Sequence, residues 1–219
     1  MAKKPRAAAK KSGNGEHDPR RSEPRQPGSS QHVIDTALNL AAEKGWRDLA
    51  LADIAQAAGM SLAELYGLHP SKQAILDAYR RGIDREVLAE TELPEGSAKD
   101  RLFDVLMRRF DKLEPHKAGL VRIGEDSARD PLAVLCGLGR LEHSMAAMLE
   151  AAGISAGGLR GIVRTKGLSA VYLSALRAWF KDDTEDKSKT MVALDKALGR
   201  AERLAGRFHR PEKRSAASA

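Results

Sequence analysis

Apolar residues recur along this chain at intervals of three and four, and no stretch shows the alternation of a half-buried strand, so the pattern predicts an all-α protein. Ser29 and Ser30 stand before Ile34, Ala37, Leu38 and Ala41, and Gly45 follows them, which marks one amphipathic helix with a polar start and a glycine stop. Trp46, just past that glycine, is expected to plug the core. Leu51, Ile54 and Ala55 form a second short stripe closed by Gly59, and Leu62, Leu65 and Tyr66 a third that Pro70 stops. Ser71 then caps a longer helix whose apolar face, Ile75, Leu76, Tyr79, Ile83 and Val87, runs toward Pro94. The tight turn Ala58-Gly59-Met60-Ser61 makes the second and third helices a helix-turn-helix pattern.

The remainder is also helical by periodicity. Leu102, Phe103, Leu106, Met107, Phe110 and Leu113 cover one face before Pro115, and Leu138, Leu141, Met145, Met148 and Leu149 cover another before Gly153. Methionine adapts to irregular space, so Phe103, Met107, Phe110, Met145, Met148 and Tyr172 are the candidate lining of a pocket for a small apolar ligand or lipid, with core filling as the competing role. Leu168, Val171, Tyr172, Ala175, Leu176 and Trp179 form a further stripe. Met191, Leu194, Leu198, Ala201, Ala205 and Phe208 form a short heptad seam after a polar connection in which Asp183 or Thr184 is the expected cap. Two such helices per chain suit a four-helix interface between two copies, which makes Leu168, Val171, Ala175, Met191, Leu194, Leu198 and Ala201 candidate homodimer residues.

Composition narrows the class. The chain has 219 residues of which 42% are hydrophobic, enough for one substantial core or two small ones. The single Cys136 permits no internal disulfide, and neither a signal-like apolar run nor a spanning stretch is seen, so a soluble, cytoplasmic protein is expected. Cys136 has no neighbouring His, Gly137-Leu138-Gly139 lacks the remainder of a dinucleotide loop, and His116 and His143 have no metal-ligand spacing around them. Neither an enzyme nor a metal or other cofactor is expected.

The net charge of +7 is distributed unevenly. Residues 1–30 carry eight Lys/Arg against three Asp/Glu, and residues 203–219 carry +4, which leaves 31–202 at −2. The chain ends are poor in apolar residues, and the division expected is a disordered basic tail over 1–29, a helix-turn-helix domain over 30–85, a helical ligand-binding and dimerisation domain over 86–208 and a second basic tail over 209–219. Between Asp48 and Lys72 there is no Lys or Arg, while Asp53 and Glu64 are both present.

The residues Ala42-Glu43-Lys44-Gly45-Trp46, Asp53-Ile54-Ala55, Ala58-Gly59-Met60-Ser61, Leu65-Tyr66 and Pro70-Ser71-Lys72, in one ungapped spacing, resemble the N-terminal domain of the TetR family of transcriptional regulators. The resemblance implies a two-domain, all-α homodimer, often a repressor, in which the third helix enters the major groove of double-stranded DNA while its neighbours hold phosphates. It implies that Ser61, Glu64, Tyr66, Gly67 and Lys72 lie at the DNA-facing positions, Ser61, Tyr66 and Lys72 as phosphate contacts. It also implies that a ligand in the C-terminal domain sets the separation of two reading heads through the fourth helix. The chain departs from the family pattern at Leu49, Ala50, Ala52, Leu62, Glu64, Gly67 and Leu68, where capping hydroxyl, basic or aromatic side chains are frequent. His69 stands where Phe is common and is expected in the core or at its rim.

Residues 170–183 and 190–198 are similar, over a shorter and less specific span, to the TetR-fold lipid-binding proteins of ubiquinone biosynthesis. That resemblance implies an alternative in which the reading helix is not used on DNA and the basic tails favour an anionic membrane surface.

Overall fold

The computed structural model describes residues 28–90 and 95–208, and among these every regular element is helical. Both basic tails, apart from Gly28 and Ser29, and Pro94 lie outside the described residues.

Helix α1 (Ser30–Lys44) starts where the Ser29 hydroxyl accepts the His32 amide at 3.2 Å and ends at Gly45. Gly45 has φ +85°, a left-handed conformation that costs glycine little. Helix α2 (Leu51–Ala57) has no capping side chain at Ala50, as the apolar residues there imply, and Asp53 instead accepts the Ala50 amide at 2.8 Å. Gly59, at φ +68°, turns the chain so that the Met60 amide reaches the Ala55 carbonyl at 3.0 Å. Helix α3 (Leu62–Leu68) follows, and helix α4 (Lys72–Ala89) begins with the Ser71 hydroxyl accepting the Ala74 amide at 3.1 Å.

Helix α5 (Ala98–Leu113) leads through a 3-10 turn (Glu114–His116) into α6 (Lys117–Ser127), then α7 (Pro131–Ala151), α8 (Gly158–Trp179) and α9 (Ser188–Phe208). Helix α6 escapes periodicity, since Ile123 is its only large buried apolar side chain. Its contact with α1 is a close backbone approach instead: a Cβ on Gly119 would stand 2.3 Å from the Leu38 carbonyl oxygen. At the start of α9 the hydroxyl of Thr184, one of the two expected caps, accepts the Ser188 amide at 3.1 Å. Asp182, not Asp183, is the buried carboxylate, and it accepts the backbone amides and hydroxyls of both Thr184 and Thr190. Despite its burial, these donors hold its carboxyl well below the usual range.

One buried apolar cluster runs from Val33 and Leu38 in α1 through Ile75 and Val87 in α4 to Phe110, Met145, Trp179 and Leu194. At its centre lies a polar group of four helices. Asp84 of α4 receives Arg109 of α5 through Nε at 3.3 Å and Nη2 at 3.1 Å, and the hydroxyl of Ser144 of α7 at 2.6 Å. Arg109 also donates to the Tyr172 hydroxyl of α8 at 2.6 Å, and Arg80 bridges Ser144 at 3.0 Å. All but Arg80 are buried.

Removing one partner of such a pair strands a charge in the interior. Arg109→Met is expected to lower unfolding free energy by about 3–5 kcal/mol, read from urea unfolding followed by circular dichroism.

Candidate nucleic-acid interface

The α2–turn–α3 unit is held by polar contacts at its ends and by one side chain at its centre. Ser61 and Glu64 form a capping box: the Ser61 hydroxyl accepts the Glu64 amide at 3.2 Å, while Glu64 Oε2 accepts the Ser61 amide at 2.7 Å and its hydroxyl at 2.8 Å. The Ser61 backbone amide and then its hydroxyl hold the Glu64 carboxyl below the ordinary range, so its negative charge is fixed on the helix. Leu65 is the only residue of α3 that is buried. The expected stripe Leu62, Leu65, Tyr66 is therefore broken, with Leu62 49%, Tyr66 61% and Leu68 44% exposed. A helix this short meets the core through one residue, and the others face outward.

Ser61, Glu64, Tyr66 and Gly67 are all exposed. Lys72 is not. Its ammonium donates to the carbonyl oxygens of Trp46 at 2.7 Å, Leu49 at 2.6 Å and Arg47 at 3.3 Å, and sits 5.3 Å from the centre of the Trp46 ring. Partial burial moves its pKa down, against the pull of Asp48, Asp126 and Asp53. Here Lys72 closes the α1–α2 loop. His69 is buried, as expected, and its Nε2 lies 2.9 Å from the Ser30 hydroxyl. Burial and then the charge of Arg81 lower its pKa.

The same loop is latched from the far side by a residue that periodicity does not mark. Asp126 of α6 accepts the amides of Trp46 at 2.8 Å and Arg47 at 3.1 Å across some 80 positions of sequence. The helix-turn-helix unit is thereby tied to α6 through its loop and, through Gly119, along α1.

Of the candidate pocket residues, Phe110, Met145, Met148 and Tyr172 are buried and Phe103 and Met107 are partly so. Phe110 stacks on Tyr172 with ring centres 5.2 Å apart and packs against Trp179 at 5.7 Å. Cavities among the described residues lie elsewhere, including an open groove of about 820 Å³ between the start of α1 and α4, lined by Ile34, Arg81 and Arg85, and one of about 560 Å³ beside α3. Of the candidate dimer residues, Leu168, Val171, Ala175, Leu194 and Leu198 are already covered within one chain, and Met191 and Ala201 are half-buried. Leu138 is exposed, and so are Leu132, Val134 and Leu135 before it, so α7 reaches the core only through its second half. His116, near Asp35 at 3.3 Å and edge-on to Tyr79, and His143, near the Gly139 carbonyl at 3.0 Å, sit in structural contacts.

The described residues thus form a three-helix head built on a helix-turn-helix, joined by its fourth helix to an all-α body. Residues 33–79 match the family described as bacterial regulatory proteins, tetR family, and the chain thus carries the N-terminal domain of the TetR-family transcriptional regulators. No curated protein is matched. Among solved structures, a TetR transcriptional regulator from Nitrosomonas europaea is similar with a TM-score of 0.65 and 23% identity over 79% of this chain and 97% of that one. One from Rhodococcus sp. RHA1 gives 0.58 and 20% over 78% and 93%, and one from Streptomyces coelicolor 0.55 and 17% over 82% of each. At such identities the likeness concerns the fold. These matches do not favour the lipid-binding alternative.

The Arg47 amide, and then that of Trp46, lower the pKa of Asp126. Its contribution to stability is thus complete above the unfolded carboxylate pKa and is lost as pH falls through the lower folded value. Asp126→Asn is expected to reduce the melting temperature at neutral pH and to shrink that deficit toward about pH 3, measured by thermal unfolding across the pH range.

Proposed function

We propose that the protein is a ligand-responsive transcriptional regulator that binds double-stranded DNA as a homodimer. The observation that carries this reading is the outward display of α3, capped by Ser61 and Glu64, within the segment that matches the TetR-family domain. The link to a ligand is supported by the way α4 enters the body: Asp84 shares its contacts with α5 and α7, so a shift among those helices reaches the reading head. Ligand response then requires different affinities for two positions of α4.

Phosphate neutralisation supplies most of DNA affinity, and α3 contains no cation. Residues 1–27 carry eight Lys/Arg against three Asp/Glu and are assigned that task. Fluorescence anisotropy on random-sequence duplex DNA, across a salt series, tests this. The full chain is expected to bind with a steep salt slope, and removal of residues 2–25 to weaken binding and flatten the slope; absence of binding by the full chain at low salt would refute the DNA-binding reading.

A second copy is assigned to the outward stripe of α8. Leu159 is 84% exposed and Val163 71%, with Ile162 beside them and Val192 exposed on α9. The inward seams hold α8 against α9, which leaves these outward residues for the partner. Val163→Asp is expected to turn a dimer into a monomer in sedimentation equilibrium with unchanged helicity, whereas a persistent dimer would move the interface elsewhere.

A further inference from the structure

Resting on the DNA-binding reading, we infer that α3 discriminates operator sequence chiefly through the 5-methyl groups of thymine. Hydrogen-bonded readout of base edges draws on side chains such as Arg, Lys, Asn, Gln, Asp and Glu, together with hydroxyls. On α3 the outward side chains are Leu62, Ala63, Glu64, Tyr66 and Leu68, with Gly67 adding none. Glu64 spends Oε2 on Ser61, and its charge opposes the phosphates. Contact with the thymine methyl is the base-specific interaction that leucine and alanine can make.

The shape of the helix suits such contacts. At about 100° per residue, Ala63 and Gly67 lie opposite the buried Leu65, flanked by Leu62 and Tyr66 on one side and Glu64 and Leu68 on the other. The outermost ridge is thus low, with Tyr66 and Glu64 beside it and the apolar Leu62 and Leu68 further down the two flanks. Among the described residues a Cβ on Gly67 would meet nothing within 4 Å, so no packing against them explains the missing side chain. In the middle of a helix glycine is destabilising relative to alanine, and close approach of the backbone to a groove gives it a use.

An exposed apolar face needs a reason to meet DNA rather than another surface, and the chain entering α1 supplies one. Gly28 lines the cavity beside α3 together with Gly59, Met60, Glu64, Gly67 and Leu68. The segment 1–27, with a charge of +5, therefore joins the described fold next to the reading helix. The basic sequence that precedes Gly28 suits phosphates, and the exposed face of α3 suits bases.

The test uses the full-length protein and a pool of duplexes with randomised 20-base-pair cores, from which bound sequences are enriched and then remade with deoxyuridine in place of each core thymidine. Uracil pairs as thymine does and lacks only the methyl group. Affinity is expected to fall roughly fourfold for each contacted methyl, the equivalent of one buried methyl group. The double substitution Leu62→Ala with Leu68→Ala, at exposed positions, is expected to bind the uracil duplex like the unaltered protein and to lose most of the preference for thymine. Equal affinity for the two duplexes overturns the inference and leaves the DNA-binding reading standing. Absence of binding to any duplex at low salt overturns both. A double variant that keeps the thymine preference but loses self-association in sedimentation assigns the apolar face to a protein contact and also overturns the inference.

Discussion

The interior ion pair between Asp84 and Arg109 is the constraint on which the relation between head and body depends. A carboxylate removed from water must find donors, and here they come from different helices: Arg109 from α5, Ser144 from α7 and Arg80 from α4 itself. Tyr172 of α8 closes the set, accepting from Arg109 at 2.6 Å while the guanidinium carbon lies 5.1 Å from its ring centre. A pair of this kind adds little net stability over an apolar packing of the same volume. Its effect is on register, since sliding α4 along the body would leave a charge without its partner, whereas a purely apolar seam would tolerate intermediate positions.

Two further polar contacts act on the same boundary. Asp126 gathers the amides of the loop after α1, and Lys72 gathers the carbonyls of that loop from the other side. The loop is thus clamped between a carboxylate that takes its N–H groups and an ammonium that takes its oxygens. This explains how a loop with two exposed charged residues, Arg47 and Asp48, keeps a fixed course, and it directs the Lys72 charge inward. The exposed side of α3 consequently has a chemistry dominated by leucine, tyrosine and one fixed carboxylate.

Much of the head could be read from residue order alone. Ser29, Ser61 and Ser71 each cap the helix they precede, Gly45 and Gly59 take the left-handed conformations their positions imply, and His69 enters the core in place of a larger ring. Such features are local: a cap and its amide lie three residues apart, so sequence spacing contains the interaction. The body was less legible. Helix α6 is held by a missing side chain at Gly119, which periodicity cannot register because the contact is made by backbone. Leu62, Tyr66 and Leu138 have the spacing of core residues and are exposed, since an apolar period states which residues share a face and not whether anything covers it.

The sequence by itself determined that this chain is helical, where most helices begin and end, that residues 33–79 have the TetR-family pattern, and that its positive charge is concentrated outside the central part. Each of these follows from neighbours within a turn or two, or from summed composition. Only the tertiary structure decided which apolar faces are spent inside the chain and which remain outward, that Lys72 serves a loop, and that Asp84, Arg109, Ser144 and Tyr172 form one buried group. Those outcomes depend on residues some 20 to 60 positions apart meeting when the helices pack. Whether a polar side chain faces solvent, a carbonyl or an opposite charge is settled by that packing geometry, which the residue order encodes only through the whole fold.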